Sequence, residues 1–187
     1  MSAAQHKQAL LILDMISEFD FPAWRPVLKA ARRIAPAIAR LRERARHAGI
    51  PVVYVNDMRG DWESDQTAFL RRCGAIRSRG REVTAMLCPR NEDYFIFKPK
   101  HSGFYSTPLA EFLQVKSIEE LILTGTTSHQ CVLFTAMDAY VRDYRVVVPI
   151  DCIAASTQRQ TRQALFILKE SLRARTPRSS SLKLGSG

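Results

Sequence analysis

Features that mark several classes of protein are missing from this sequence of 187 residues. No apolar run approaches the roughly 18 residues that cross a bilayer, and the longest, Ala9 to Leu13, ends at an aspartate. The N-terminal sequence MSAAQHKQALLILD has too short an apolar run for a signal peptide and no small-residue cleavage site. We therefore expect a cytoplasmic protein that does not associate with membranes.

Paired metal or redox ligands are also missing from the sequence. The four cysteines, Cys73, Cys88, Cys131 and Cys152, show no C-x-x-C spacing, and no histidines are paired. This pattern argues against the usual zinc sites and redox dithiols, and without an export signal the thiols are expected to stay reduced. We expect no metal and no cofactor.

Acidic residues are the minority among the charged ones, with 18 Asp and Glu against 28 Lys and Arg, a formal net charge of +10 and a pI near 9.9. Such an excess can indicate a nucleic-acid partner. However, the basic residues are dispersed, and no aromatic residues alternate with them as a base-stacking surface requires. We favour solvated helix faces and expect no nucleic-acid partner. The alternative, a basic nucleic-acid-binding protein, predicts binding that weakens steeply with salt.

Short apolar runs alternate with amphipathic segments along the chain. Five runs are typical of buried strands: Ala9 to Leu13, Pro51 to Val55, Tyr94 to Phe97, Leu121 to Leu123 and Arg145 to Ile150. The main helical segments run from near Pro26 to Gly49, around Asp65 to Arg72, after Thr107, after the fourth strand, and from Thr157 to Arg173. This alternation predicts an α/β fold with three layers, α/β/α, around a mainly parallel sheet of five or six strands.

The length suits one domain, which we place at residues 1–175. Residues 176–187 are rich in serine and poor in apolar side chains, so we expect a flexible tail. An additional edge strand in or before this tail is an alternative.

The stretch Leu121 to Ala139, LILTGTTSHQCVLFTAMDA, has the pattern of a strand, a tight turn and a helix. It places Cys131 in the first helical turn, where free backbone N–H groups and the positive end of the helix dipole favour a thiolate. Cys131 is therefore a candidate nucleophile. Alternatively, it is a small apolar residue that packs the helix onto the sheet.

Asp14, Lys98 and Cys131 each follow a predicted buried strand. Ligands bind at this edge of open parallel sheets, so the three side chains would converge if their strands are neighbours. The Lys98 ammonium would then lower the pKa of the Cys131 thiol, and Asp14 would take the thiol proton and return it to a departing amine. Taken singly, Asp14 could cap a helix and Lys98 could be a solvated surface residue.

Four motifs together resemble the isochorismatase-like cysteine hydrolase superfamily, which includes nicotinamidases, N-carbamoylsarcosine amidohydrolases and ureidoacrylate amidohydrolases. They are LLILDM at Leu10 to Met15, VVYVND at Val52 to Asp57, K-x-x-x-S-x-F-x-x-T from Lys98 to Thr107, and G-x-x-x-x-x-C-V-x-x-T from Gly125 to Thr135. They occur in matching order over roughly residues 9 to 168. The resemblance implies a Rossmann-like topology and a homo-oligomer, either a dimer or a tetramer.

The resemblance also implies a role for each matched residue. Asp14 corresponds to the general base, Lys98 to the catalytic lysine and Cys131 to the nucleophile of the family. A non-proline cis peptide bond of the family would join Thr126 to Thr127 here. The backbone N–H groups of Thr127 and Cys131 would then form the oxyanion hole.

Departures from the family pattern limit the prediction of a substrate. Nicotinamidases have an aspartate and two histidines after the second strand that bind a metal, whereas this chain reads NDMRGDWESD there. We therefore predict no metal and do not favour nicotinamide. The pocket residues that we expect, any of which could instead be packing residues, are Phe19, Asn56, Trp62, Phe104 and Tyr105.

The sequence thus predicts a metal-independent cysteine hydrolase that cleaves a C–N bond of a small amide, ureide or carbamoyl compound through a thioester. The alternative is a non-catalytic protein of the same fold that binds a small molecule or a partner. Release of ammonia from a panel of amides separates the two hypotheses, since only the enzyme would release it.

Overall fold

The short apolar runs form the strands of one parallel sheet in a computed structural model, which describes residues 7–58, 60 and 65–185. The strands are β1 (Gln8–Leu13), β2 (Val52–Asp57), β3 (Tyr94–Lys98), β4 (Glu120–Thr126), β5 (Arg145–Val147) and β6 (Ile153–Ala154). Their order across the sheet is β3-β2-β1-β4-β5, and β6 pairs with the end of β4. Every strand pair is parallel, which confirms the predicted sheet.

The described residues include six α-helices, of which five lie between strands along the chain and one follows the last strand. They are α1 (Trp24–His47), α2 (Gln66–Gly74), α3 (Arg81–Met86), α4 (Leu109–Val115), α5 (Leu133–Tyr140) and α6 (Gln158–Glu170). Polar side chains set some of the boundaries: Asp65 accepts a hydrogen bond from the Ala68 N–H before α2, and Thr157 forms a capping box with Gln160 at α6. No helix in the described ranges is long and apolar enough to cross a membrane.

Each face of the sheet carries its own apolar core, because successive strand residues point to opposite sides. From β1, Leu10 and Ile12 pack on the side of α1, whereas Ala9, Leu11 and Leu13 pack on the side of α4, α5 and α6. Both faces are therefore covered by helices. This arrangement confirms the three-layer α/β/α fold.

The order of the strands reverses between β1 and β4. From β1 the chain proceeds outward through β2 to β3, and β4 then returns to the other side of β1. The backbones approach closely there: Gly125 has a φ of 113°, and a Cβ atom on it would lie 2.0 Å from the carbonyl oxygen of Leu13. Ligands bind at such a reversal, beyond the carboxyl ends of the strands.

The segment after β5 differs from the prediction of a strand up to Ile150. β5 ends at Val147 because the next backbone groups turn to a different partner: the N–H groups of Val148 and Ile150 donate to the carbonyls of Arg175 and Pro177. Residues near 175 therefore form a short edge pairing, which includes a parallel bridge between Val147 and Arg175. The sequence pattern did not predict β6.

The C-terminal segment also differs from the expected flexible tail. It contains a 3₁₀ turn at Ser179–Ser181. The Asp151 carboxylate accepts hydrogen bonds of 2.7 Å from both the N–H and the hydroxyl of Ser179. The Arg44 guanidinium donates to the carbonyls of Ser179 and Leu182, and Leu182 is buried. These contacts hold the segment on the domain although its composition is polar.

Candidate active site

Asp14 follows β1 and is held on several sides. Its backbone N–H donates to the Val55 carbonyl, and its own carbonyl accepts from the Thr126 hydroxyl. Its carboxylate oxygen Oδ1 accepts a 2.6 Å hydrogen bond from the N–H of Asp57, and Oδ2 lies 2.9 Å from the Lys98 ammonium. Asp14 has a φ of 50°, a left-handed conformation that aspartate tolerates better than most residues. The carboxylate is therefore fixed at the strand reversal.

Lys98 is the last residue of β3 and is completely buried. Its ammonium reaches across β2, where the Asp57 carboxylate lies 3.8 Å away, to Asp14 and to the sulfur of Cys131 at 3.5 Å. Burial acts to lower the pKa of Lys98, but its neighbours, Asp14 foremost, outweigh burial and raise it above its ordinary value. The lysine consequently stays charged at neutral pH.

Cys131 lies in a π-helical turn, Ser128–Val132, that precedes α5. In this turn the Thr127 carbonyl accepts from the N–H groups of Gln130 and Val132. In an α-helix, the Thr127 carbonyl would accept from the Cys131 N–H. In this π turn it accepts from the residues on either side of Cys131 instead. Single π turns are frequent at functional sites.

The electrostatics of Cys131 correct one expectation from the sequence. Burial raises the pKa of the thiol, the neighbouring Asp14 carboxylate raises it further, and the opposing effect of the Lys98 ammonium is smaller. The resting cysteine is therefore a neutral thiol beside a charged Asp14–Lys98 pair, rather than a preformed thiolate. A thiol in this setting needs a base when it attacks.

The peptide bond between Thr126 and Thr127 is cis. Thr126 ends β4, and Thr127 leads into the π-helical turn. Both residues line the same cavity as Asp14 and Cys131. Thr127, one of the two predicted oxyanion-hole residues, therefore lines the same cavity as the predicted nucleophile, Cys131.

A cavity of about 610 Å³ opens over this cluster. Of the predicted pocket residues, Phe19 and Asn56 line it. Phe104 and Tyr105 are not among the lining residues: Phe104 is buried in the core beneath α4 and α5, and Tyr105 is 55% exposed. Trp62 lies outside the described residues.

The motif that suggested Phe104 has a structural use. The Thr135 hydroxyl donates to the Cys131 carbonyl and accepts from the N–H of Gly103, while the Thr107 hydroxyl donates to the Gly103 carbonyl. These bonds tie the loop after β3 to the turn that carries Cys131. The side chain of Phe104 accordingly points into the core instead of the cavity.

Several lining residues were not assigned a role from the sequence. They include Glu18, Asp57, Phe69, Arg72, His101 and His129. Asp57 ends a buried strand, much as Asp14 directly follows one, so the same signal could have identified it. His101 and His129 lie shortly after the ends of β3 and β4. Burial together with the charge of His101 lowers the pKa of His129.

Groups of three or more His, Cys, Asp or Glu side chains that could hold a metal ion do not occur within the described residues. That the protein needs no metal stays a prediction. The arrangement of Asp14, Lys98 and Cys131 can by itself supply a base, a fixed positive charge and a nucleophile.

Comparisons with known proteins agree with this geometry. The isochorismatase domain family matches residues 8–176. A Bacillus subtilis protein described as an uncharacterized isochorismatase family protein is 38% identical over 165 residues, which are 88% of this chain and 90% of that protein. An Arabidopsis thaliana protein described as a probable inactive nicotinamidase is 30% identical over 167 residues, 84% of this chain and 85% of that protein.

A solved structure extends the similarity to the backbone. The crystal structure of N-carbamoylsarcosine amidase from Thermoplasma acidophilum is similar to this chain, with a TM-score of 0.71 and 28% sequence identity. The similarity covers 95% of this chain and 99% of that one.

Proposed function

Because the chain belongs to the isochorismatase family, we propose that it is a hydrolase that cleaves a C–N bond of a small amide, ureide or carbamoyl compound through a thioester on Cys131. The observation that carries this proposal is the contact of Lys98 with both other groups, 2.9 Å to Asp14 and 3.5 Å to Cys131. A hydrolase is supported by the family, and the amidase similarity favours a C–N bond.

The first half of the reaction forms the thioester. The Cys131 sulfur attacks the carbonyl carbon of the substrate while the thiol proton passes to the Asp14 carboxylate. The backbone N–H groups of Thr127 and Cys131 donate to the oxyanion of the tetrahedral intermediate. When the C–N bond breaks, Asp14 returns the proton to the departing nitrogen, so that a neutral amine or ammonia leaves.

The second half of the reaction releases the acyl group. Water attacks the thioester carbonyl and gives one proton to Asp14. As the C–S bond breaks, that proton returns to the sulfur, and the carboxylic or carbamic acid leaves. Lys98 stays protonated throughout, because its partners raise its pKa, and it offsets whichever of its two neighbours is anionic.

The test is release of ammonia from a panel of primary amides, ureides and N-carbamoyl compounds. We expect turnover by the wild-type protein and none by Cys131→Ala or Asp14→Asn. Cys88→Ala is the matched control, since this cysteine is exposed and does not line the cavity. Full activity in Cys131→Ala would rule out the covalent route. If the wild-type protein releases no ammonia from any compound on the panel, a ligand-binding protein without turnover is favoured.

We also propose that the protein is cytoplasmic and forms a homo-oligomer. Three large apolar side chains along α5 and its C-cap residue support assembly: Phe134, Met137 and Val141 are 46%, 46% and 70% exposed. An exposed patch of this kind marks many interaction surfaces. Sedimentation velocity is expected to show a dimer or a tetramer for the wild type and a smaller species for Phe134→Glu with Val141→Glu.

A further inference from the structure

Asn56 is a buried polar residue at the edge of the cavity whose side chain is only partly used by the protein. It is the second-last residue of β2 and is 1% exposed. Its Nδ2 atom donates a 2.6 Å hydrogen bond to the carbonyl oxygen of Ile16. Its Oδ1 atom is buried and has no hydrogen-bond donor among the described residues.

The bond to Ile16 fixes which way the amide faces. A carbonyl oxygen can only accept, so the group that meets Ile16 must be the NH₂ of Asn56. The amide therefore cannot be flipped without placing two acceptors against each other. Oδ1 is consequently a fixed acceptor on a residue that lines the cavity, and only a hydrogen-bond donor can satisfy it.

The other side chains that line the cavity make the site selective for ligands that carry such a donor. Several apolar side chains line the cavity together with Asn56, and they include Ile16, Phe19, Val27 and Phe69. These side chains provide no hydrogen-bond donor. A ligand that covers Oδ1 without donating leaves a buried acceptor unsatisfied, and sites of this type discriminate strongly against the analogue that lacks the donor.

Asn56 lies close to the proposed base. It is on the strand next to β1, and the following residue, Asp57, donates its backbone N–H to the Asp14 carboxylate. In the proposed reaction Asp14 serves the departing nitrogen, so an N–H that meets Oδ1 belongs to another part of the substrate. In a ureide, that second N–H is on the retained side of the carbonyl carbon.

We propose that Asn56 is a specificity-determining residue whose Oδ1 accepts a hydrogen bond from an N–H on the retained side of the substrate carbonyl. This inference rests on the proposed hydrolase function. It favours substrates in which a second nitrogen bearing hydrogen is attached to the scissile carbonyl, as in ureides derived from primary amines. A substrate with a methyl group in place of that hydrogen is disfavoured.

The test compares two ligands that differ only in this hydrogen, N-carbamoylglycine and N-carbamoylsarcosine. Binding to Cys131→Ala protein is measured by titration calorimetry, so that no turnover interferes. We expect N-carbamoylglycine to bind at least about 10-fold more tightly, the lower range for loss of one hydrogen bond to a buried group. In Cys131→Ala with Asn56→Leu, which removes the acceptor at similar volume, the two affinities should become equal.

Controls separate the hydrogen bond from shape and from folding. Phe69→Leu changes the neighbouring wall without removing a polar atom, so it should weaken both ligands alike and leave their ratio unchanged. Asn56→Ala also removes the acceptor and should likewise make the two affinities equal if Asn56→Leu fails to fold. A preference that persists in Asn56→Leu would show steric exclusion of the methyl group and overturn the proposal.

Equal affinities in the parent protein, including binding of neither ligand, would also overturn the role of Asn56. Turnover of the amide panel by the Cys131 enzyme is measured separately. If the enzyme turns over the amide panel but shows no preference between the two ligands, only the role of Asn56 is ruled out. If the ligand preference is present and Asn56→Leu abolishes it, but no compound is turned over, only the proposed chemistry is ruled out.

Discussion

Replacing Lys98 by methionine should slow the alkylation of Cys131 by iodoacetamide by about 100-fold at a fixed pH, because the thiolate loses its contact with the Lys98 ammonium. Methionine is a suitable replacement, since it retains an unbranched chain of similar length without the charge. Lys98 is completely buried, so solvent cannot take the place of its ammonium without rearrangement.

The magnitude follows from the distance between the two groups. An ammonium and a thiolate 3.5 Å apart attract each other by about 5 kcal/mol at an effective dielectric constant of about 20. Relaxation and water entry reduce this value, and half of it still corresponds to nearly two powers of ten in thiolate population. Removal of one partner of the buried pair with Asp14 is also expected to cost about 3–5 kcal/mol of folding free energy.

The assay follows the alkylation of each cysteine by peptide mass spectrometry over a pH series. Cys88 is exposed and serves as an internal reference for the reagent. Lys100→Met is the matched control, because this lysine lies two residues further on and is exposed. Thermal unfolding verifies that Lys98→Met is folded at the assay temperature. Alkylation of Cys131 at the wild-type rate in folded Lys98→Met would refute the reasoning.

Three further predictions concern Asp14, Gly125 and Glu43. Asp14→Asn should speed alkylation of Cys131 at neutral pH although it abolishes turnover, because the carboxylate raises the pKa of the thiol. Gly125→Ala should lower the free energy of unfolding in urea by about 2–4 kcal/mol, whereas Gly74→Ala, with no atom nearer than 4.0 Å, should be neutral or slightly stabilising. Burial acts to raise the pKa of Glu43, but three arginines outweigh burial and lower the pKa below its ordinary value. The ionised Glu43 side chain therefore stabilises the protein above pH 4.5, and this stabilisation is lost as the pH falls through the lowered pKa. Glu43→Gln should therefore destabilise the protein at neutral pH and have no effect in acid.

The positions of Asp14 and Cys131 could be predicted because they depend on local patterns. Each follows a buried apolar run, and the carboxyl ends of parallel strands share one edge of the sheet. The placement of Lys98 depends on the strand order, since its ammonium must pass β2 to reach Asp14. The sequence made convergence conditional on neighbouring strands, and this holds for β1 and β4 but not for β3, which β2 separates from β1. The three groups meet because the long side chain of Lys98 spans that gap.

Other features could not be predicted because they depend on contacts between distant segments. The direction of the Cys131 pKa shift results from burial and from the proximity of Asp14, neither of which can be obtained from spacing along the chain. The C-terminal segment is held by one carboxylate, Asp151, and by the buried Leu182, against an otherwise polar composition. Phe104 lies in a motif, but the bonds around Gly103 direct it into the core.

The central claim is that Cys131 becomes covalently attached to the acyl part of the substrate. The most direct measurement is the intact mass of the protein after rapid acid quenching during turnover of any compound from the amide panel, followed by peptide mapping. The account predicts a mass increase equal to the acyl portion, located on Cys131 and absent from Cys131→Ala. Turnover that continues in Cys131→Ala, with no adduct on Cys131 in the wild type, would contradict it.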